Sequence, residues 1–308
     1  MNFKLLAIVT AFSATGPPVC STRPMLNSQR IIIEDFSATL EAEYRRNFGG
    51  TKPEYASAIA WAARLALENI GNSDMLYHNV EHTMLVTAAG QQILTGKHLS
   101  EGGVSPEDWL NFMFALLFHD VGYVRGICRA DSAPLYASGV DSGMVELPEG
   151  STDAALTPHH VSRSQLFIRE RFGARDIKGL DIERICECIE MTRFPPPKES
   201  AYDPTGTYAG LVRAADFVGQ LGDPNYFKKV PALFYEFEQL GMNPTLGYRH
   251  PGDMLKGYAG FFWKVVRPYL ANGIRYLRVT HGGKQWVANL QSHVFEAEHD
   301  DGEAFGKE

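Results

Sequence analysis

Ser105-Pro106-Glu107-Asp108-Trp109-Leu110-Asn111-Phe112-Met113-Phe114-Ala115-Leu116-Leu117-Phe118-His119-Asp120 is the stretch on which the reading of this chain turns. It opens with a capping residue, a proline at the first helical position and acids in the first turn, the marks of a helix start. An apolar run follows to about Phe118, and His119 and Asp120 stand side by side at its end. Desolvating either group is costly unless it has a partner. At the end of a buried helix both side chains can turn toward one ion. The plainer alternative is an aspartate that caps the next turn beside an unrelated histidine.

Outward from this stretch the same device recurs. Thr157-Pro158 and Asp223-Pro224 open helices that run to about Phe172 and Leu240, and Thr51 with Pro53 opens one that Gly71 stops. From Ile33 onward the apolar residues recur mainly at helical spacing, and no hairpin signal joins two alternating runs. Further helices are expected at about 34–47, 78–96, 181–192, 206–221, 253–271 and 284–297. The chain is therefore read as all-α, with roughly nine or ten helices. One domain is expected over 31–300, preceded by a flexible or targeting segment over 1–30. Gly126 to Leu156 is rich in Gly, Ser, Asp and Pro, and so long a stretch without regular structure reads as a functional loop or lid.

Composition narrows the partners. The 308 residues carry a formal net charge of -7, with 44% hydrophobic and 21% charged residues, and contain no basic run. A surface that coats nucleic acid is excluded, as is a polybasic membrane patch. A small anionic substrate is not, because a bound divalent cation reverses the local field. Four cysteines are too few for a disulfide scaffold of this length. Cys186 and Cys188 diverge on a helix, so all four read as reduced thiols in a reducing compartment, with a Cys-x-Cys metal site as the alternative. Phe3 to Phe12 pairs one positive charge with a short apolar run, as a signal peptide would, but lacks a clean cleavage site and is too short to span a bilayer. A loosely docked start and a cytoplasmic location are expected, with a cleaved signal or a working start at Met25 as alternatives.

Two further elements carry chemistry. In Tyr77-His78-Asn79-Val80-Glu81-His82 the histidines stand four apart, so on a helix both project from one face. Such a pair can ligate one metal, or one histidine can ligate while the other moves a proton. In Leu211-Val212-Arg213-Ala214-Ala215-Asp216-Phe217-Val218 an aspartate sits in an apolar helical run, where an unpaired carboxylate is expensive. Pairing with Arg213 is the plain reading, and a metal is the sharper one. Together the three elements offer two neutral nitrogens and two carboxylates, a mixture that suits transition metals and leaves room for water.

A histidine, then His-Asp, then a distant aspartate, each on a helix, resembles the HD-domain metal-dependent phosphohydrolase superfamily. The wording at 77–82 is closer to one branch, since Tyr-His-Asn-x-x-His is similar to the signature of the cyclic-nucleotide phosphodiesterases. Those enzymes also have His-Asp-Val where this chain has His119-Asp120-Val121, and a His-His pair that Pro158-His159-His160-Val161 resembles. The resemblance covers about residues 55–240. It implies a multi-helix HD-type, phosphodiesterase-like bundle in which His82, His119, Asp120 and Asp216 hold a first metal. It also implies that Asp120 bridges to a second, weaker ion, and that His159 and His160 lie near that ion or just behind the ligands. The cofactors implied are divalent ions, two in number, drawn from Zn, Mg, Mn or Fe. His78 would protonate the leaving alkoxide, its imidazolium favoured by an acid such as Glu81 or by one from another helix.

The departures bear on the substrate. The phosphodiesterases continue His-Asp-Val-Asp-His, whereas this chain reads His119-Asp120-Val121-Gly122-Tyr123. The glutamine that reads the purine has no sure counterpart, and Gln285 and Gln291 are the candidates. Arg125, Gln220 and Tyr123 are offered for substrate contact, Arg125 and Arg129 because a fork of donors suits phosphate. The aromatics Phe234, Tyr235, Phe237, Phe261, Phe262 and Trp263 could stack on a base, although their helical spacing suits a core. A small phosphoester or nucleotide is the expected partner, with no membrane span, and a homodimer is allowed. A phosphodiester is the first reading and a nucleotide or phosphomonoester the second. A di-iron oxygenase and a silent regulatory module of the same fold are further alternatives.

Overall fold

The computed structural model describes residues 27–174 and 177–299. The apolar run becomes α4 (Pro106–Phe118), and every residue from Trp109 to Phe118 is buried. A helix apolar on all sides belongs at the centre of a bundle. Its start is held by a reciprocal box, in which Ser105 Oγ accepts from the Asp108 N–H and Asp108 Oδ2 accepts from the Ser105 N–H. Before α4 come α1 (Ser28–Phe48), α2 (Pro53–Ile70) and α3 (Val80–Glu101). After it come α5 (His160–Phe172), α6 (Ile182–Glu190), α7 (Tyr208–Leu221), α8 (Tyr226–Gln239), α9 (Met242–Leu246), α10 (Pro251–Phe261), α11 (Ala271–Leu277) and α12 (His281–His299). One hydrophobic cluster runs through them from Leu40 to Val294. The protein is an all-α bundle, as the periodicity predicts.

Three differences from the sequence reading have physical causes. The helix expected from 78 begins at Val80, because the Asn79 side chain accepts from the N–H groups of Glu81 and His82 and so caps it. His78 therefore lies before the helix, and the two histidines do not project from one helical face. The helix expected over 253–271 ends at Phe261, passes through a π-turn (Phe262–Val266) and a 3₁₀ turn (Arg267–Tyr269), and leaves the next helix to start at Ala271. Pro268 cannot donate to a helical ladder, which suits it to such a break. The long stretch from Gly126 to Leu156 holds an antiparallel hairpin, β1 (Leu135–Ala137) with β2 (Met144–Glu146), in which Tyr136 faces Val145, and a 3₁₀ turn at Asp153–Leu156. Strands of three residues alternate too briefly to be read from sequence.

That stretch is also clamped. The fully buried Arg163 of α5 donates to the carbonyls of Gly122, Val124 and Ala137 and to both oxygens of Asp131. A buried guanidinium satisfied in this way fixes the whole connection against α5. Across the bundle, α3 and α7 approach closely because position 219 is glycine. A Cβ there would fall 2.5 Å from the Val86 Cα. This contact sets the register that brings His82 and Asp216 together. Among the described residues no helix is long and apolar enough to cross a membrane. The candidate targeting segment and Cys20 lie outside the described residues.

Candidate metal centre

Three helices deliver the central groups: α3 brings His82 in its first turn, the end of α4 brings His119 and Asp120, and the middle of α7 brings Asp216. His82 Nε2 lies 3.3 Å from Asp120 Oδ2 and 3.6 Å from Asp216 Oδ1. His119 Nε2 lies 3.1 Å and 3.7 Å from the same two oxygens. Side-chain exposure is 1% for His119, 5% for Asp120 and 20% for Asp216, so the set is largely covered by protein, with Asp216 its most exposed member.

Tautomers decide what this arrangement can hold. His119 Nδ1 stands 2.8 Å from the Leu116 carbonyl, which can only accept, so Nδ1 carries the proton. The neutral ring then points a lone pair from Nε2 at a carboxylate oxygen. Both His119 Nε2 and Asp120 Oδ2 are buried without a hydrogen-bond partner. Two acceptors face to face require a cation between them. Without a metal that cation is a proton: burial opposes charge on His119, but Asp120 and Asp216 outweigh it and raise the imidazole to about 9. For Asp120 burial acts upward, and the facing His119 and His82 carry the carboxyl well below its usual range. Nitrogen and oxygen ligands each about 2.0–2.2 Å from one ion stand about 3 Å or slightly more apart. The measured separations of 3.1–3.7 Å therefore fit a divalent ion held by His82, His119, Asp120 and Asp216.

The other Asp120 oxygen, Oδ1, faces a second group, His160 Nε2 at 3.8 Å. His160 Nδ1 donates to the Thr157 carbonyl at 2.6 Å, so this ring too turns a lone pair toward the carboxylate. Burial lowers His160 to about 4, which keeps it neutral. Asp120 thus presents one oxygen to each of two nitrogen-lined positions. His159 has no contact of this kind; it is half-buried at the start of α5, and burial with the nearby Arg163 lowers its pKa.

His78 approaches from the loop before α3. Its Nδ1 lies 2.6 Å from Glu236 Oε2, and Glu236 Oε1 accepts from the backbone N–H groups of Tyr77 and His78. Burial acts to lower His78, but the Glu236 charge and hydrogen bond prevail and its pKa is raised. His78 can also be grouped with His82 and Asp120 as a trio of ligand atoms within 4.8 Å of one another. The acid beside His78 is thus one from another helix, α8, and not Glu81, which is exposed and pairs with Lys229. Glu236 was missed in the sequence. Its one signal is an acid set in the aromatic run Phe234-Tyr235-Glu236-Phe237, where it is only 3% exposed.

Other expected residues are placed elsewhere. Arg125 does not offer a free fork: it donates to Asp74, Asp153 and the Ser151 carbonyl, tying down the long connection. Arg129 is bound to Glu170. Tyr123 is buried and packs its ring against His78 and His160, so it forms a wall of the site and not an exposed substrate contact. Gln220, one turn beyond Asp216, is half-buried. Arg213 does not pair with Asp216; it donates to the Tyr202 and Pro204 carbonyls and lies over the Tyr269 ring. Gln285 and Gln291 are both on the exposed side of α12, with Gln285 bound to Asn289. Phe234 and Phe262 are buried, whereas Tyr235 and Trp263 are exposed. Cys128, Cys186 and Cys188 are buried free thiols, which burial raises to about 12, 11 and 12, and none joins a metal-capable group among the described residues.

Fold and site together define an all-α protein with a buried histidine–aspartate centre built by three helices. The family model described as Npun_R2479-like matches residues 26–300, and the chain belongs to that family. No curated protein matches the sequence.

Proposed function

We propose that this protein is a metal-dependent phosphohydrolase of the HD type that cleaves a phosphodiester, with His78 as proton donor to the leaving oxygen. The reading is carried by one observation: His119 Nε2 and Asp120 Oδ2, both buried and both acceptors, face each other at 3.1 Å. The ordered His, His-Asp and Asp on three helices supports the resemblance to HD phosphohydrolases. The two-sided Asp120 suits a pair of divalent ions, which would acidify water and neutralise charge on phosphoryl oxygens.

The protein's own groups do the rest. His82, His119, Asp120 and Asp216 set where the phosphate must lie. Glu236 keeps the His78 ring oriented and favours its protonated form, so that it can donate to the departing oxygen, a contribution of about 10²–10⁴-fold. Such a donor matters most for an alkoxide, which is a poor leaving group unless protonated. That favours an alkyl ester, a cyclic diester included, over an aryl one. The buried thiols suit a reducing compartment.

Metal analysis joined to hydrolysis of cyclic nucleotides, dinucleotides, nucleotide monophosphates and aryl esters tests this. Stoichiometric Zn, Mn, Mg or Fe with turnover of an alkyl diester is expected. Equal rates on aryl diesters and monoesters would remove the diester reading. Two irons with a mixed-valence absorption band would replace it with the oxygenase alternative.

A further inference from the structure

We infer that Tyr123 is a positioning residue that fixes the separation between His78 and His160, an inference that rests on the hydrolase reading above. The Tyr123 ring lies flat on His160, with centroids 4.2 Å apart and planes 6° from parallel. It also stacks on His78 at 5.0 Å and 27°. Tyr123 is thus the one ring in contact with both imidazoles, nearly parallel to His160 and tilted against His78.

Each imidazole is anchored at one nitrogen only, His78 through Glu236 at 2.6 Å and His160 through the Thr157 carbonyl at 2.6 Å. A ring held at one atom still swings about that bond. Contact with the phenol face removes the swing from both rings at once. The lone pair of His160 then stays aimed at Asp120 Oδ1, and the free nitrogen of His78 stays aimed into the site.

Gly122 makes this placement possible. Its carbonyl accepts from Arg163 Nε at 2.7 Å and its N–H donates to Ser164 Oγ at 2.8 Å, which seats the turn Val121–Tyr123 directly on the first turn of α5. A Cβ at 122 would stand 2.0 Å from the His160 carbonyl oxygen and 2.6 Å from the Ser164 nitrogen. Any other residue would lift the turn and with it the Tyr123 ring. Gly122-Tyr123 is thus a matched pair: the first residue permits the approach, and the second uses it to space two histidines. With a phenol forming this wall, the second position is lined by Asp120 Oδ1 and His160.

The test is Mn²⁺ titration by electron paramagnetic resonance, together with steady-state kinetics on alkyl and aryl diesters, for Tyr123→Leu, Tyr123→Phe and Gly122→Ala, each checked for folding by circular dichroism. In Tyr123→Leu the weaker Mn²⁺ is expected to bind about tenfold less tightly or worse, as when a group behind the ligands is lost. The tighter ion should change little. Turnover of the alkyl diester should fall about a hundredfold, the scale of an ångström-sized misplacement, with KM little altered. Tyr123→Phe, which keeps the ring, should restore most of both losses, and Gly122→Ala should reproduce them, so it carries the test if the leucine variant does not fold. A folded Tyr123→Leu with unchanged weak-ion affinity and turnover overturns the inference, as does a phenylalanine variant as impaired as leucine. A wild-type protein that binds neither Mn²⁺ nor Zn, Mg or Fe instead overturns the hydrolase reading beneath it.

Discussion

The two sides of Asp120 are built differently. On the α3–α4–α7 side, two histidines face two carboxylate oxygens across 3.1–3.7 Å, and His119 is raised to about 9. On the α5 side, one histidine faces one oxygen across 3.8 Å, and His160 is lowered to about 4. Both rings are buried, and both donate Nδ1–H to a carbonyl three residues earlier. At His119 burial is outweighed first by the charge and hydrogen bond of Asp120 at 3.1 Å and then by Asp216, whereas at His160 burial prevails over a more distant Asp120, helped by the neighbouring His78 and His119. Burial strips charge from an imidazole unless nearby carboxylates outweigh it. In the proposed reading the first side holds the tighter ion and the second the weaker one.

The largest effect should come from the one residue that serves both sides. Asp120→Asn is expected to abolish binding of both ions and to lower turnover by more than about 10³-fold, beyond the loss of one stabilising donor. Elemental analysis beside hydrolysis rates checks this, and an ion retained at full occupancy would break the proposed division. Next, His78→Ala should keep its metal yet lose about 10²–10⁴-fold in alkyl diester turnover. Loss should be far smaller on an aryl ester, whose leaving group needs no proton. Loss of metal instead would place His78 among the ligands.

The contrast also has a pH signature. In metal-free protein the His119 pKa is raised from 6.5 to about 9, so its proton stabilises the fold fully below pH 6.5. That stabilisation is lost as pH rises through 9. A bound ion takes the place of the proton, so the gap in Tm between metal-loaded and metal-free protein should widen from pH 6.5 to 9. Thermal melts across that range would show it, and a gap that narrows would contradict it. The smallest effect on catalysis is expected for Arg125→Ala. Its partly exposed pairs with Asp74 and Asp153 are worth about 1–2 kcal/mol of stability, because Asp153 is buried. KM should stay within about twofold of wild type, since the guanidinium is already occupied. A large rise in KM would return Arg125 to the phosphate.

What could be read from the sequence alone was whatever has a local cause or a local cost. Proline and serine mark the start of α4 and acids fill its first turn; its nine apolar residues from Trp109 to Phe118 require a central place; a lone aspartate in α7 and His-Asp after α4 are expensive without a partner. These identify the all-α class and the four groups that now lie together. The tertiary structure decided the rest, because those pairings join residues with no local tie. Glu236 holds His78 from 158 residues away, and Arg163 clamps Asp131 from 32. Arg125 was available to phosphate by type and was captured by Asp74 and Asp153 through chain geometry. Tyr123 reads in sequence as a missing histidine; only when Gly122 lets its turn rest on α5 does it become the ring in contact with two histidines. Burial cost is written residue by residue along a chain, whereas the partner that relieves it is chosen by which helices meet.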